Sequence, residues 1–283
     1  MDTLHAEVVA QGFRFTEGPR WHAGRLWFSD MHDGRVCALA ADGRVETIAE
    51  VAAEPSGLGW LPDGRLLVVS MQDRRLLRQE ADGALVTHAE LGDLAPFHCN
   101  DMVVDGLGRA WVGNFGFDLH GGAEPRTTTL VRVDPDGRAL VVAEELMFPN
   151  GTVITPDGGT LIVGESFAGR LTAFRIDDDG ALRDRRVWAQ LEDGHVPDGI
   201  CLDADGAIWV ASPTTNCCLR VHEGGEVSAR VDCEAGVFAC MLGGEDRRTL
   251  YLCTAGDSHP DRTVERSGRI EAVTVAVPVA GLP

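Results

Sequence analysis

Side chains that could bind a cation recur in phase along this chain. Six segments, TEGPRW (16–21), PSGLGW (55–60), CNDMVV (99–104), PNGTVI (149–154), PDGICL (197–202) and FACMLG (238–243), each precede an apolar run by a similar distance. With one-residue slips in the first and last segments, the in-phase residues are Glu17, Ser56, Asn100, Asn150, Asp198 and Cys240. Two carboxylates and two amides in this set are hard oxygen ligands, and two negative charges balance one divalent cation. Asn-Gly and Asp-Gly also mark ordinary turns, but turn chemistry accounts for neither Glu17 nor the pair Asn100-Asp101. The expectation is therefore a metal site built from Glu17, Asn100, Asn150 and Asp198, with Ca²⁺ first and Mg²⁺, Mn²⁺, Fe²⁺ or Zn²⁺ as the other candidates. Near it stands His98, whose unperturbed pKa suits either substrate orientation or proton transfer.

The elements that must position these residues follow from an internal repeat. GRLWFSD, GRLLVVS, GRAWVGN, GTLIVGE, GAIWVAS and RTLYLCT begin at positions 24, 64, 108, 159, 206 and 248. Each reads as a β-strand, and a period of about 40 to 50 residues is that of a four-stranded propeller blade. Asp-Gly recurs between β-rich runs, at 42–43, 63–64, 82–83 and 136–137 among other places, where glycine accepts the positive φ of a tight hairpin turn. The fold class predicted is all-β, a six-bladed β-propeller with the divalent metal on its central axis and almost no helix. HAEVVAQGF near the start and GRIEAVTVAV near the end should pair in one blade and close the ring, giving a single domain over 1–283. The inner strands of such a ring face one shared channel, which is why in-phase residues form one site.

Composition narrows the partners. Forty-four acidic against 25 basic residues give a formal charge of −19, a field that repels phosphate backbones and anionic lipid surfaces. Nucleic acid and membrane are thus excluded in favour of a small-molecule substrate. The opening residues lack a secretory signal and no run approaches a membrane span, which predicts a cytoplasmic protein. The eight cysteines form no C-x-x-C pair and read as reduced and buried, Cys99 included. No G-x-S-x-G elbow, H-E-x-x-H or P-loop occurs. IDDDGALRDRR (176–186) places arginine where an EF-hand needs acids, so it reads as a solvated turn. GNFGFDLHGG (113–122) follows the third apolar strand and is expected to form a pocket rim, with Phe117 touching substrate.

Taken in order, these motifs resemble the senescence-marker-protein/gluconolactonase family of the regucalcin type. The likeness runs through Phe15 to Pro19 (F-x-E-G-P), Asn100-Asp101, Asn150-Gly151, Val196 to Gly199 (V-P-D-G), Asp203 to Ala211 and Gly268 to Ile270. It implies a six-bladed propeller with an axial divalent metal and, in many members, hydrolysis of lactones. Carried over by position, Glu17, Asn150 and Asp198 match the metal ligands. Asn100 matches a residue that completes the coordination or binds a metal water or substrate, and Asp101 matches a substrate-contacting acid. Where similar sugar lactonases carry arginine two residues before the asparagine this chain has His98, and Met102 replaces a glycine. The mechanism expected is attack of water on a polarised lactone carbonyl, with Asp198 as the catalytic base and Glu17 or His98 as the alternatives. Set against it are a metal-binding propeller without lactonase activity, calcium-binding or scaffold, and an enzyme acting on a different ester substrate.

Overall fold

Turn chemistry converts the repeat into antiparallel ribbons. In the computed structural model, which describes residues 2–283, Asp42 Oδ1 accepts the Arg44 N–H at 3.0 Å while Gly43 takes φ 82°. The same arrangement recurs at Asp63-Gly64 and Asp136-Gly137. A side chain that bonds the backbone two residues on, followed by a left-handed glycine, fixes both turn type and strand register. Asp33-Gly34 is different: Gly34 caps a 3₁₀ turn, Met31–Asp33, instead of closing a hairpin.

The result is six antiparallel sheets around an axis, a six-bladed β-propeller. Blade one comprises Thr16–His22, Arg25–Asp30, Arg35–Leu39 and Val45–Glu50. Blade two runs from Pro55–Trp60 outward to Leu85–Glu90, blade three from Cys99–Val104 to Ala139–Leu146, and blade four from Pro149–Ile154 to Leu182–Gln190. Blade five begins with Ile200–Leu202, and blade six with Gly236–Gly243. The apolar runs that revealed the repeat are the second strands of the blades, for example Leu66–Ser70 and Ala110–Asn114. Glu7–Phe13 pairs antiparallel with Gly268–Thr274 as the outer strand of blade six. The preceding Asp2–His5 crosses to blade five, where it adds a fifth strand parallel to Val227–Asp232. The first residues thus bind two blades at once and cover both edges. Short 3₁₀ turns, Met31–Asp33, Ser166–Ala168, Pro213–Thr215 and Pro260–Arg262, are the helices of the described residues, and none is long and apolar enough to cross a membrane.

Apolar faces of neighbouring blades pack against each other around the ring. Trp209 is buried with Met241 and Leu252 between blades five and six, and Leu76, Met102 and Val131 fill the space between blades two and three. Full burial of one such side chain contributes about 1.5–3 kcal/mol, so the wedge-shaped contacts hold the ring without a continuous central core. The axis stays free for polar groups.

The inner strands share one irregularity. Pairing with the second strand slips between Glu17 and Arg20, Pro55 and Leu58, Cys99 and Met102, Pro149 and Thr152, and Val237 and Ala239. A bulge re-aims the side chain it contains; the second, third and fourth slips contain Ser56, Asn100 and Asn150, and Glu17 borders the first. In blade six the slip centres on Phe238, so the expectation for Cys240 is corrected by two residues. Cys240 pairs in register with Leu252 and buries its thiol 3.8 Å from that of Cys201.

Bulging brings adjacent inner strands very close. A Cβ built on Gly151 would lie 2.5 Å from the Ile200 nitrogen and 2.6 Å from the Asp198 oxygen, both backbone atoms of the next blade. Only glycine permits this approach, which also lets Gly151 N–H donate to Asp198 O at 3.2 Å. Gly151→Ala should therefore lower stability by about 2 kcal/mol or more, through overpacking against backbone that cannot step aside. Gly106→Ala, with nothing within 4 Å of the new carbon, should stay within about 0.5 kcal/mol. Denaturant midpoints of the two variants check this; equal shifts would contradict it.

Candidate metal centre and active site

Each polar residue of the axis is delivered by the start of an inner strand. Glu17, Asn100, Asn150 and Asp198 come from four different blades and together line the floor of a cavity of about 190 Å³. Hydrogen bonds between blades hold the floor: Ser29 Oγ donates to Ser56 O at 2.7 Å, Ser56 Oγ to Asn100 O at 2.8 Å, and Ser166 Oγ to Pro197 O at 2.7 Å. Ser56 is therefore part of this belt and does not line the cavity.

On the floor, the Asn100 Nδ2 amide donates to Asn150 Oδ1 at 3.0 Å, and Asn150 Nδ2 donates to Ser166 Oγ at 3.2 Å. Glu17 Oε2 accepts the Gly18 N–H at 2.9 Å and is 9% exposed. Burial pushes its carboxyl up to about 8 against the stabilising Gly18 hydrogen bond, and the Asp101 charge adds to the rise while Arg20 opposes it. Asp198 keeps one face toward the cavity but lies deep enough that burial, and then the Glu17 charge, raise it well above the usual carboxylate range. The Asn150 amide and the Gly199 N–H partly stabilise its ionised form. Two carboxylates facing one space, both held above their usual range by burial and Asp198 further by the Glu17 charge, are short of a positive charge.

That shortage is what a divalent cation would relieve. Among the described residues no three His, Cys, Asp or Glu side chains converge on a common point, so a cation here must draw on amide oxygens as well. Asn100 and Asn150 supply them, since each carbonyl oxygen has two lone pairs. Two carboxylates and two amides fit a hard, oxygen-loving ion.

Two expectations about substrate contacts change. Asp101 does not face the cavity; it follows the bulge and turns toward blade one, where Arg20 Nη2 donates to its Oδ1 at 2.6 Å, while its own chain's Met102 N–H donates at 2.9 Å. Both side chains are below a tenth exposed, so this pair is a structural bridge between inner strands. Phe117 is also absent from the lining, being buried behind it and edge-on to Phe148 and Phe167. The segment 113–122 does reach the cavity, through Phe115, Leu119 and His120. His98 lines the wall, half-buried and stacked on Phe97 at 4.1 Å. Burial lowers its pKa despite the opposing charges of Glu54 and Asp118, so its ring is neutral at pH 7. Cys99 is fully buried and its thiol is pushed up to about 12, which fits an unreactive core residue.

Sequence reasoning missed how the wall is held. In five of the six blades the last residue of the second strand is polar and buried, in blade six the buried polar residue is Thr254, next to last, and several of these residues bind the loop entering the same blade. Asp30 Oδ1 accepts the Phe15 N–H at 3.2 Å, Glu165 Oε2 the Met147 N–H at 2.8 Å, and Ser212 Oγ the Val196 N–H at 3.2 Å. These loops carry Phe15, Phe148 and Val196 into the wall. Sequence reasoning also missed Glu54, whose Oε1 lies 3.0 Å from His32 Nδ1. Glu54 and Phe148 stand directly before Pro55 and Pro149 and have φ of 64° and 60°. Such positive φ is strained for residues of this size, and both side chains line the cavity.

The raised carboxyls make stability depend on pH in the metal-free protein. A carboxyl whose pKa is higher folded than unfolded binds more protons in the folded state, so stability falls as pH rises from its unfolded value, near 4.5, through about 8. For Glu17 the shift corresponds to on the order of 5 kcal/mol. Glu17→Gln should therefore gain stability over the parent as pH rises from 5 to 9, and added divalent cation should reverse the ranking. Denaturation of both proteins in chelator across that range checks this; a pH-independent difference would contradict it.

Comparison with known proteins agrees with the geometry. A model described as the SMP-30/Gluconolactonase/LRE-like region matches residues 15–256. Pentonolactonase XacC from Haloferax volcanii is 29% identical over 88% of this chain and 84% of its own. A 6-deoxy-6-sulfogluconolactonase from Pseudomonas putida is also 29% identical, over 98% and 96%. The crystal structure of a calcium-binding protein, regucalcin, from Agrobacterium tumefaciens superposes with a TM-score of 0.81 at 20% identity, covering 99% of this chain and 97% of that one. The match to the family model spans every inner strand that builds the cavity floor, and the chain belongs to the SMP-30/gluconolactonase/LRE-like family.

Proposed function

We propose that this protein is a metal-dependent hydrolase that opens a small lactone. The observation that carries the reading is the meeting of Glu17, buried, and Asp198, partly open to the cavity, with two amides on a cavity floor that no Lys or Arg lines among the described residues. Relatives named as lactonases, at 29% identity over most of the chain, support the reaction class. The open face of Asp198 favours a catalytic over a structural ion, because a purely structural site is closed by its ligands.

Glu17, Asn100, Asn150 and Asp198 would hold the cation, Ca²⁺ ahead of Mg²⁺, Mn²⁺, Fe²⁺ or Zn²⁺. Bound there, such an ion supplies Lewis acidity toward an ester carbonyl. The protein's own groups do the rest. A carboxylate oxygen of Asp198 takes a proton from the water that attacks the carbonyl carbon, and returns it to the ring oxygen as the ester bond breaks. The hydrogen bond from Asn100 to Asn150, anchored by Ser166, fixes the amides relative to that carboxylate. His98, neutral and on the wall, orients the lactone.

The test is lactone hydrolysis followed by proton release on metal-stripped and metal-restored protein, with the spontaneous rate subtracted. Turnover should depend on the added ion. Asp198→Asn keeps an oxygen ligand but no base, and should lower kcat by about 10²-fold or more while the variant still binds the cation. Turnover of Asp198→Asn at the parent rate would overturn the assignment of the base.

A further inference from the structure

The wall above the floor differs chemically from the floor. Phe15, Met31, Met71, Phe115, Phe148 and Phe238 form one apolar cluster, and all six face the cavity. The other large clusters lie between strands of neighbouring blades, whereas this one is gathered from five different blades around the axis. It is not needed to join any two of them.

The aromatic side of the wall is also fixed in place. Phe115 stacks on Phe148 at 4.5 Å, Phe148 meets Phe167 at 5.4 Å, and Phe15 meets Phe238 edge-on at 4.8 Å. The strained backbone at Phe148 keeps that ring on the cavity side. None of these side chains donates or accepts a hydrogen bond; the polar wall groups, His32, Glu54, Gln72, His98, His120 and Ser258, are outside this cluster, and no arginine lines the cavity among the described residues. A lactone carrying several hydroxyl groups would leave them without partners along this side, and each unsatisfied group opposes binding.

We propose that the substrate is a lactone bearing an apolar alkyl or aryl substituent, not a polyhydroxylated sugar lactone. The proposal rests on the lactonase reading and specifies its substrate class. The ester group sits on the polar floor beside Asp198, and the substituent lies against Phe115, Phe148 and Phe238. A hydrophobic wall rewards each added methylene, so kcat/KM should rise about fourfold per CH₂ until the cavity is filled.

The experiment uses the metal-restored protein and compares δ-valerolactone, δ-hexalactone, δ-octalactone and glucono-δ-lactone, each rate divided by that substrate's hydroxide-catalysed rate. The expected result is a rising alkyl series, with δ-octalactone at least tenfold above glucono-δ-lactone. Phe148→Ser and Phe238→Ser, each verified as folded by circular dichroism, should flatten the dependence on chain length. Preference for glucono-δ-lactone would overturn the substrate class and leave the lactonase reading standing. Absence of turnover on all four, with cation binding demonstrated, would overturn both. A rising series that both serine variants leave as steep would overturn the assignment to this wall.

Discussion

Everything at the centre of this molecule depends on the placing of two like charges together out of water. Glu17 and Asp198 come from blades one and five and face a common space; burial raises both carboxyls, and the Glu17 charge raises Asp198 further. Such an arrangement opposes folding unless something positive is added or a proton is kept. The nearest arginine, Arg20, gives its short ion pair to Asp101. It lowers the Glu17 pKa without cancelling the rise. The propeller tolerates the pair because its stability comes from the contacts between blades, which leave the axis free of a packed core.

The rest of the site follows from that constraint. Bulges at the starts of the inner strands of blades two, three and four contain Ser56, Asn100 and Asn150, and the glycine after Asn150 and after Asp198 lets neighbouring strands close together. The floor is thereby rigid and polar. Second-strand residues Asp30, Glu165 and Ser212 then hold the entering loops by their backbone N–H groups, which sets the aromatic wall at a fixed height above the floor. The cavity thus sets a polar floor beneath a wall that joins an apolar cluster, Phe15, Met31, Met71, Phe115, Phe148 and Phe238, to polar groups such as His98 and Glu54.

Much of this was legible in the sequence because repetition converts position into geometry. The second strands showed as apolar runs at regular spacing, and Glu17, Asn100, Asn150 and Asp198 were found simply by counting back from them. Counting failed where the backbone departs from the ruler. In blade six the bulge moves the axial position from Cys240 to Phe238. Asp101 was misplaced because its partner, Arg20, lies on another blade, 81 residues earlier. Phe117 and Phe115 differ by two residues in a loop with no strand period to separate inside from outside. The polar strand ends, in contrast, were visible as the final Asp, Ser, Asn, Glu, Ser and Thr of the six apolar runs. Their recurrence is a signal of the same kind as the one that revealed the polar residues of the axis.

The central claim, that the floor is a cation site assembled by the two carboxylates, is tested most directly by calorimetric titration of the metal-stripped protein with Ca²⁺ at pH 7, repeated in buffers of different ionisation enthalpy. Because burial raises the Glu17 carboxyl to about 8 and disfavours ionisation of Asp198, binding should saturate at one ion per chain and release protons. The double variant Glu17→Gln, Asp198→Asn should lose both the binding and the proton release. Saturable binding that releases no protons, or that survives in the double variant, would contradict the account.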